Sequence, residues 1–179
     1  SQQPVNEKGK ITLSAFKNVV TGKEYLGKMG SLRETYKKIV SEKEFKYYKN
    51  SMLPPCWVMS VDFNTGAMVF KNLKECYNYT DLLDSVVSTA SIPIFSDPVM
   101  THSSILYDGG VRHHSIGAKM MERYPIKEAI CIFSRPEDYK SDYNHKNIVS
   151  VLERTIDIMS TQISKSDERE QKLLAELKG

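Results

Sequence analysis

The sequence predicts an α/β layered fold whose central sheet is mostly parallel and flanked by helices. Short apolar, β-branched runs bounded by Gly, Pro and Asn read as strands. Other segments repeat their apolar residues every three to four positions and read as amphipathic helices. The two kinds alternate in the second half of the chain and lead into Ala129-Ile130-Cys131-Ile132-Phe133. The unbroken apolar character of that run is what a parallel strand buried on both faces requires.

With 179 residues, 40% of them apolar, the chain can bury one core and is too short for two comfortable domains. Residues 1–30 are polar and interrupted by Gly9, Gly22, Gly27 and Gly30, so they read as a loop-rich leading segment. Ser31 then precedes Leu32, Tyr36, Ile39 and Val40 on one helical face, and Ser31 with Glu34 makes a capping-box pattern. Pro54-Pro55 breaks the chain before a strand from Cys56 to Phe63. Asn64-Thr65-Gly66 ends that strand, and Ala67-Met68-Val69-Phe70 returns as the other half of a hairpin.

Thr80 or Asp81 is expected to cap a helix over Leu82–Val87 that stops before Pro93 and Pro98. Ile105-Leu106-Tyr107 reads as a strand cut off by the tight turn Asp108-Gly109-Gly110, and Ile116–Tyr124 as a helix closed by Pro125. Ile148, Leu152, Ile156, Met159 and Ile163 line one face of a long helix, best read as a cover for the sheet. Residues 146–179 therefore form a covering helix with a charged tail.

The formal charge of +3, from 25 basic and 22 acidic residues, is too small and too mixed to imply nucleic acid. Cys56, Cys76 and Cys131 are odd in number and widely spaced, and Cys56 and Cys131 lie in apolar runs, which suits reduced, buried thiols. No window reaches the ~18 consecutive apolar residues of a membrane span, and the polar start has no hydrophobic core of a secretory signal. The expected location is cytoplasmic or membrane-peripheral. His113-His114, with His102 nearby in sequence, fits no standard zinc spacing, and no cysteine or carboxylate pair completes one, so no metal is expected and surface or turn packing is the better reading. Arg112 reads as a solvated residue.

Asp108-Gly109-Gly110 alone is more often a polar turn than a site. Its surroundings change that. Val61-Asp62-Phe63-Asn64-Thr65-Gly66 is similar to a "T-D-x-x-T-G" turn between strands, with Val61 for the threonine. Ser88-Thr89-Ala90-Ser91-Ile92-Pro93-Ile94-Phe95-Ser96-Asp97-Pro98-Val99 is similar to "A-S-x-A-x-P-x-x-F-x-P-V", with Ser88-Thr89 for its Ala-Ser and Phe95 one place early. Tyr107-Asp108-Gly109-Gly110-Val111-Arg112-His113-His114-Ser115-Ile116 is similar to "D-G-G-V-x-x-N-x-P". In this order the three blocks resemble the patatin-like phospholipase family over roughly residues 25–135.

The resemblance implies that residues 31–145 are the C-terminal half of a patatin-like domain whose N-terminal elements are absent from this chain. It implies a serine lipid acyl hydrolase of phospholipase A or esterase type, using a Ser–Asp dyad. Asp108 would be the general base, Gly109 and Gly110 its supporting turn, and no cofactor would be needed. Leu106 and Tyr107 are expected to give Asp108 a dry wall. His114 and Ile116 stand where the family has asparagine and proline, and His114 could tie down the turn only in a suitable tautomer.

No Gly-x-Ser-x-Gly elbow occurs in the sequence, so the chain by itself is expected to be inactive toward esters. The expected partners are a lipid acyl ester and an N-terminal segment or second chain carrying the serine. Contact with a membrane surface and self-association into a homo-oligomer are also compatible with the sequence. The alternative is a degenerate, non-catalytic patatin-like scaffold or protein-binding module.

Overall fold

The computed structural model describes residues 27–126, 128–130, 132 and 148–178. The chain divides into two compact units, Ser1–Gly109 and Gly110–Gly179.

In the first unit, α1 (Gly30–Ile39) is followed by α2 (Glu42–Asn50). A Ser-x-x-Glu pattern precedes or opens both helices, and only the second one caps. Ser41 takes extended backbone and its hydroxyl accepts from the Glu44 N–H, while the Glu44 carboxylate accepts from the Ser41 N–H. Ser31, the expected cap, lies inside α1. That helix starts earlier, after Met29, whose N–H donates to Asp97 Oδ1 at 2.5 Å.

Strands β1 (Trp57–Asp62) and β2 (Met68–Asn72) form the expected hairpin. A 3-10 turn, Leu73–Glu75, leads to α3 (Tyr79–Ser88). The cap of α3 is Asn78, whose side chain accepts from the Asp81 N–H at 2.9 Å, rather than Thr80 or Asp81. Strands β3 (Val99–Met100) and β4 (Ile105–Asp108) complete one sheet in the order β2-β1-β4-β3.

The neighbouring strands of this sheet all run antiparallel, which corrects the expectation of a mostly parallel sheet. The links explain the difference. Residues 63–67 join β1 to β2 and residues 101–104 join β3 to β4, and such short links make hairpins, whereas a parallel pair needs a crossover of a dozen or more residues. A parallel bridge between Gly27 and Ser96 stands apart from the strands. The parallel reading rested on residues 129–133. There Ala129, Ile130 and Ile132 carry no regular secondary structure and are exposed, and Cys131 and Phe133 lie outside the described residues.

Helix α3 packs on β1, β3 and β4 and on α1, where Arg33 pairs with Asp84. Phe45, Leu73, Cys76 and Leu82 form a core cluster bordered by Tyr48, Val58, Tyr79 and Val86. Each such leucine or phenylalanine contributes roughly 1.5–3 kcal/mol on burial. Burial also pushes the Cys76 thiol pKa up, although a hydrogen bond with Ser85 opposes this. Cys56 is exposed, against expectation, because it precedes β1 rather than lying within the apolar strand.

The second unit holds α4 (Gly117–Arg123), stopped at Tyr124 before Pro125, and α5 (Ile148–Lys178), which packs on α4. Ala118, Met120 and Met121 give α4 its buried face. The expected aliphatic stripe of α5 is only partly covered, with Leu152 and Met159 exposed. Among the described residues of α5, the buried ones are polar instead, Asp167 and Gln171, one helical turn apart. Among the described residues no helix is long and apolar enough to cross a membrane.

Candidate functional site

Asp108 is the last residue of β4, which is held on one side by β1 and on the other by β3. Its N–H donates to the Ser91 carbonyl at 2.8 Å, and its side chain is half-buried. A 3-10 turn over Gly109–Val111 follows at once. Gly109 is buried against the next strand: a Cβ there would lie 2.9 Å from Met59 Cγ, 3.0 Å from the Met59 carbonyl oxygen and 3.1 Å from its carbon. The side chain of Met59 could move, but its backbone is paired in β1 and would have to give by a few tenths of an ångström, so the site favours glycine. Gly110 lies within the same 3-10 turn and is half-buried.

The sheet register decides what shares a face with Asp108. Ser60 is its partner across the β1–β4 pair, and directly opposed residues project to the same side. Ser60 is buried, with its hydroxyl 2.6 Å from that of Ser88 at the end of α3. Leu106 lies on the Asp108 face by the two-residue alternation of a strand, and Tyr107 on the opposite one. There Tyr107 packs against Phe63, with ring centroids 4.4 Å apart and the rings tilted 50° to each other. Tyr107 therefore cannot wall Asp108, and the buried serines take the place expected of it.

The second sequence block wraps past the same strand end. Ser91, fully buried, holds Asp108 through its carbonyl, and two residues beyond it Pro93 enters a turn in which Ile94 has φ 75°. A β-branched L residue avoids that backbone at a cost of about 1–2 kcal/mol. Ile92 and Ile94 are both exposed, so the strained turn presents an apolar surface. The sequence marked this turn by its prolines but could not show a non-glycine residue at positive φ.

The first block closes the β1–β2 hairpin. Asp62 Oδ1 accepts from the Asn64 N–H and Oδ2 from the Thr65 hydroxyl, both at 3.0 Å, while Gly66, at φ 70°, donates to the Asp62 carbonyl at 2.7 Å. The Asn64 amide, with the Thr65 hydroxyl and donors from Ile105 and Ser104, holds the Asp62 carboxyl below its ordinary value despite burial. Asp62 thus serves the turn.

In the second unit, Asp167 reaches from α5 to the residues after the glycine turn. Its Oδ1 accepts from His113 Nδ1 at 2.8 Å, and its Oδ2 from the N–H groups of His114 and Ser115 at 2.5 and 2.9 Å. His114 Nε2 lies 3.1 Å from the Ser160 hydroxyl. The turn that an asparagine was expected to tie down is therefore held through the His113 side chain and the His114 backbone. Arg112 is exposed, and His102 is exposed within the first unit.

No family model, no curated protein and no solved structure matches this chain.

Proposed function

We propose that this chain is the aspartate-bearing part of a patatin-like serine lipid acyl hydrolase, with Asp108 as general base. The observation that carries this reading is the placement of Asp108 at the end of an interior strand. It is half-buried there, its amide is pinned to Ser91, and the next residue is a glycine closely packed on Met59 of the neighbouring strand. A catalytic carboxylate needs this combination of a fixed backbone and partial desolvation, which raises its affinity for a proton. The strained Pro93-Ile94 turn beside it fits the same reading, since backbone strain gathers at functional sites.

In the proposed reaction, Asp108 takes the proton of a serine hydroxyl as its oxygen attacks the acyl carbonyl, and returns it to the departing alcohol. Water then hydrolyses the acyl-serine by the reverse proton transfers. The serine and the oxyanion donors would come from a preceding segment or a second chain. Exposed Ile92 and Ile94 offer an apolar border suited to an acyl chain.

The test joins such a segment to this chain and measures hydrolysis of short-chain nitrophenyl esters. Asp108→Asn is expected to lower kcat by about 10²–10⁴-fold with little change in KM, and full activity in that variant would overturn the assignment. A second reading, a non-catalytic scaffold, is favoured by the lack of a Gly-x-Ser-x-Gly elbow in these 179 residues. Sequencing the native coding region decides between the two.

A further inference from the structure

His113, just after the glycine turn, has no carboxylate pair beside it in the sequence, but α5 supplies one. An imidazole nitrogen of His113 and one carboxylate oxygen each from Asp167 and Glu170 all lie within 4.8 Å of one another. The two carboxylates stand three residues apart on α5, so they share one face of the helix. Asp167 is buried and Glu170 half-buried.

The hydrogen bonds account for Asp167 but not for Glu170. Asp167 holds the 113–115 turn, whereas the Glu170 carboxylate has neither a hydrogen bond nor an ion pair among the described residues. Two acids placed this close, one of them buried, repel each other unless a cation lies between them. The imidazole of His113 is the only other donor in this cluster.

We propose that His113, Asp167 and Glu170 bind a divalent first-row transition ion such as zinc. One nitrogen and two carboxylate oxygens suit that class, whereas calcium and magnesium take oxygen ligands alone. The ion takes the place of the proton between His113 Nδ1 and Asp167 Oδ1, which leaves to solvent, and the metal-bound neutral imidazole carries its one proton on Nε2. Two ligands about 2.1 Å from zinc stand about 3.4 Å apart at the tetrahedral angle, so the 2.8 Å pair opens by about half an ångström. Asp167 Oδ2 keeps its two backbone donors, which orient the carboxylate in the way outer hydrogen bonds orient metal ligands. Water fills the remaining position. Metal at this place ties α5 to the loop after Val111 and is independent of the acyl-transfer reading.

The test titrates the full, metal-stripped chain with Zn²⁺ by calorimetry and with Co²⁺ by visible absorption. One equivalent is expected to bind, with a cobalt spectrum free of thiolate charge-transfer bands, which separates this site from the exposed Cys56. Glu170→Gln and His113→Gln are each expected to weaken binding at least about ten-fold. The glutamate variant removes no hydrogen bond seen among the described residues, so it decides the matter even if the histidine variant misfolds. The absence of saturable binding, a thiolate band, or a loss under ten-fold in Glu170→Gln overturns the proposal.

Discussion

Asp62 and Asp167 are both buried aspartates that hold a turn, and they differ in how far along the chain they reach. Asp62 binds Asn64 and Thr65, two and three residues ahead, and its hairpin closes on itself. Asp167 binds His113, His114 and Ser115, 54, 53 and 52 residues behind it. The first turn can form from local sequence alone, whereas the second exists only once α5 has docked. Burial of a carboxylate is tolerated in both because every oxygen finds a donor.

The sharpest way to break this contrast is to remove each carboxylate. Asp167→Ala leaves the N–H groups of His114 and Ser115 without their acceptor in a part-buried site, and a loss of about 3 kcal/mol is expected. Urea unfolding gives the total, and hydrogen exchange at residues 113–115 should quicken most. Asp62→Ala should cost less, because Asn64 and Thr65 are exposed and water can replace the lost acceptor. Equal losses in the two variants would remove the distinction between a local and a docked turn.

The same contrast explains what was legible in the sequence. Asn64-Thr65-Gly66 is legible as a hairpin turn because its bonds to Asp62 span only two to four positions. The strand end at Asp108 was legible too, since two glycines after an apolar run leave few alternatives. The direction of the strands was not, because an apolar run such as residues 129–133 carries no record of its neighbours. Ser31 and Ser41 match the same capping pattern, but the first helix already begins at Gly30, after Met29, whose amide bonds Asp97, so Ser31 falls inside it. Asp167 lay beyond reach altogether: nothing in a charged helix marks which acid turns inward, and the aliphatic stripe pointed elsewhere.

Acid offers a finer separation. The Asp62 carboxyl is held below its ordinary value of 3.8 by the Asn64 amide and the other donors around it. A group whose folded pKa is depressed contributes stability that is present above its unfolded value and is lost as pH falls through the folded one. Wild-type stability should therefore fall as pH drops below 3.8. Asp62→Asn should show a shallower fall over the same range. Glu44, lowered by the Ser41 amide and hydroxyl, titrates in both proteins and cancels in the difference. Parallel curves for the two proteins would show that the hairpin does not depend on a charged Asp62.

The smallest effect is expected at Thr65, and it asks whether the turn needs the residue or only its hydroxyl. The Thr65 oxygen donates to Asp62 Oδ2 at 3.0 Å and accepts from the Ala67 N–H at 3.2 Å, so it links the carboxylate to the start of the return strand. Thr65→Val keeps the shape and removes both bonds. Because the position is exposed, water recovers part of each, and a cost of about 0.5 kcal/mol is expected. Thr65→Ser keeps the hydroxyl and should match the wild type in thermal unfolding. If serine proves as costly as valine, the methyl group rather than the hydrogen bonds fixes the turn, and Asp62 would be held by backbone donors alone.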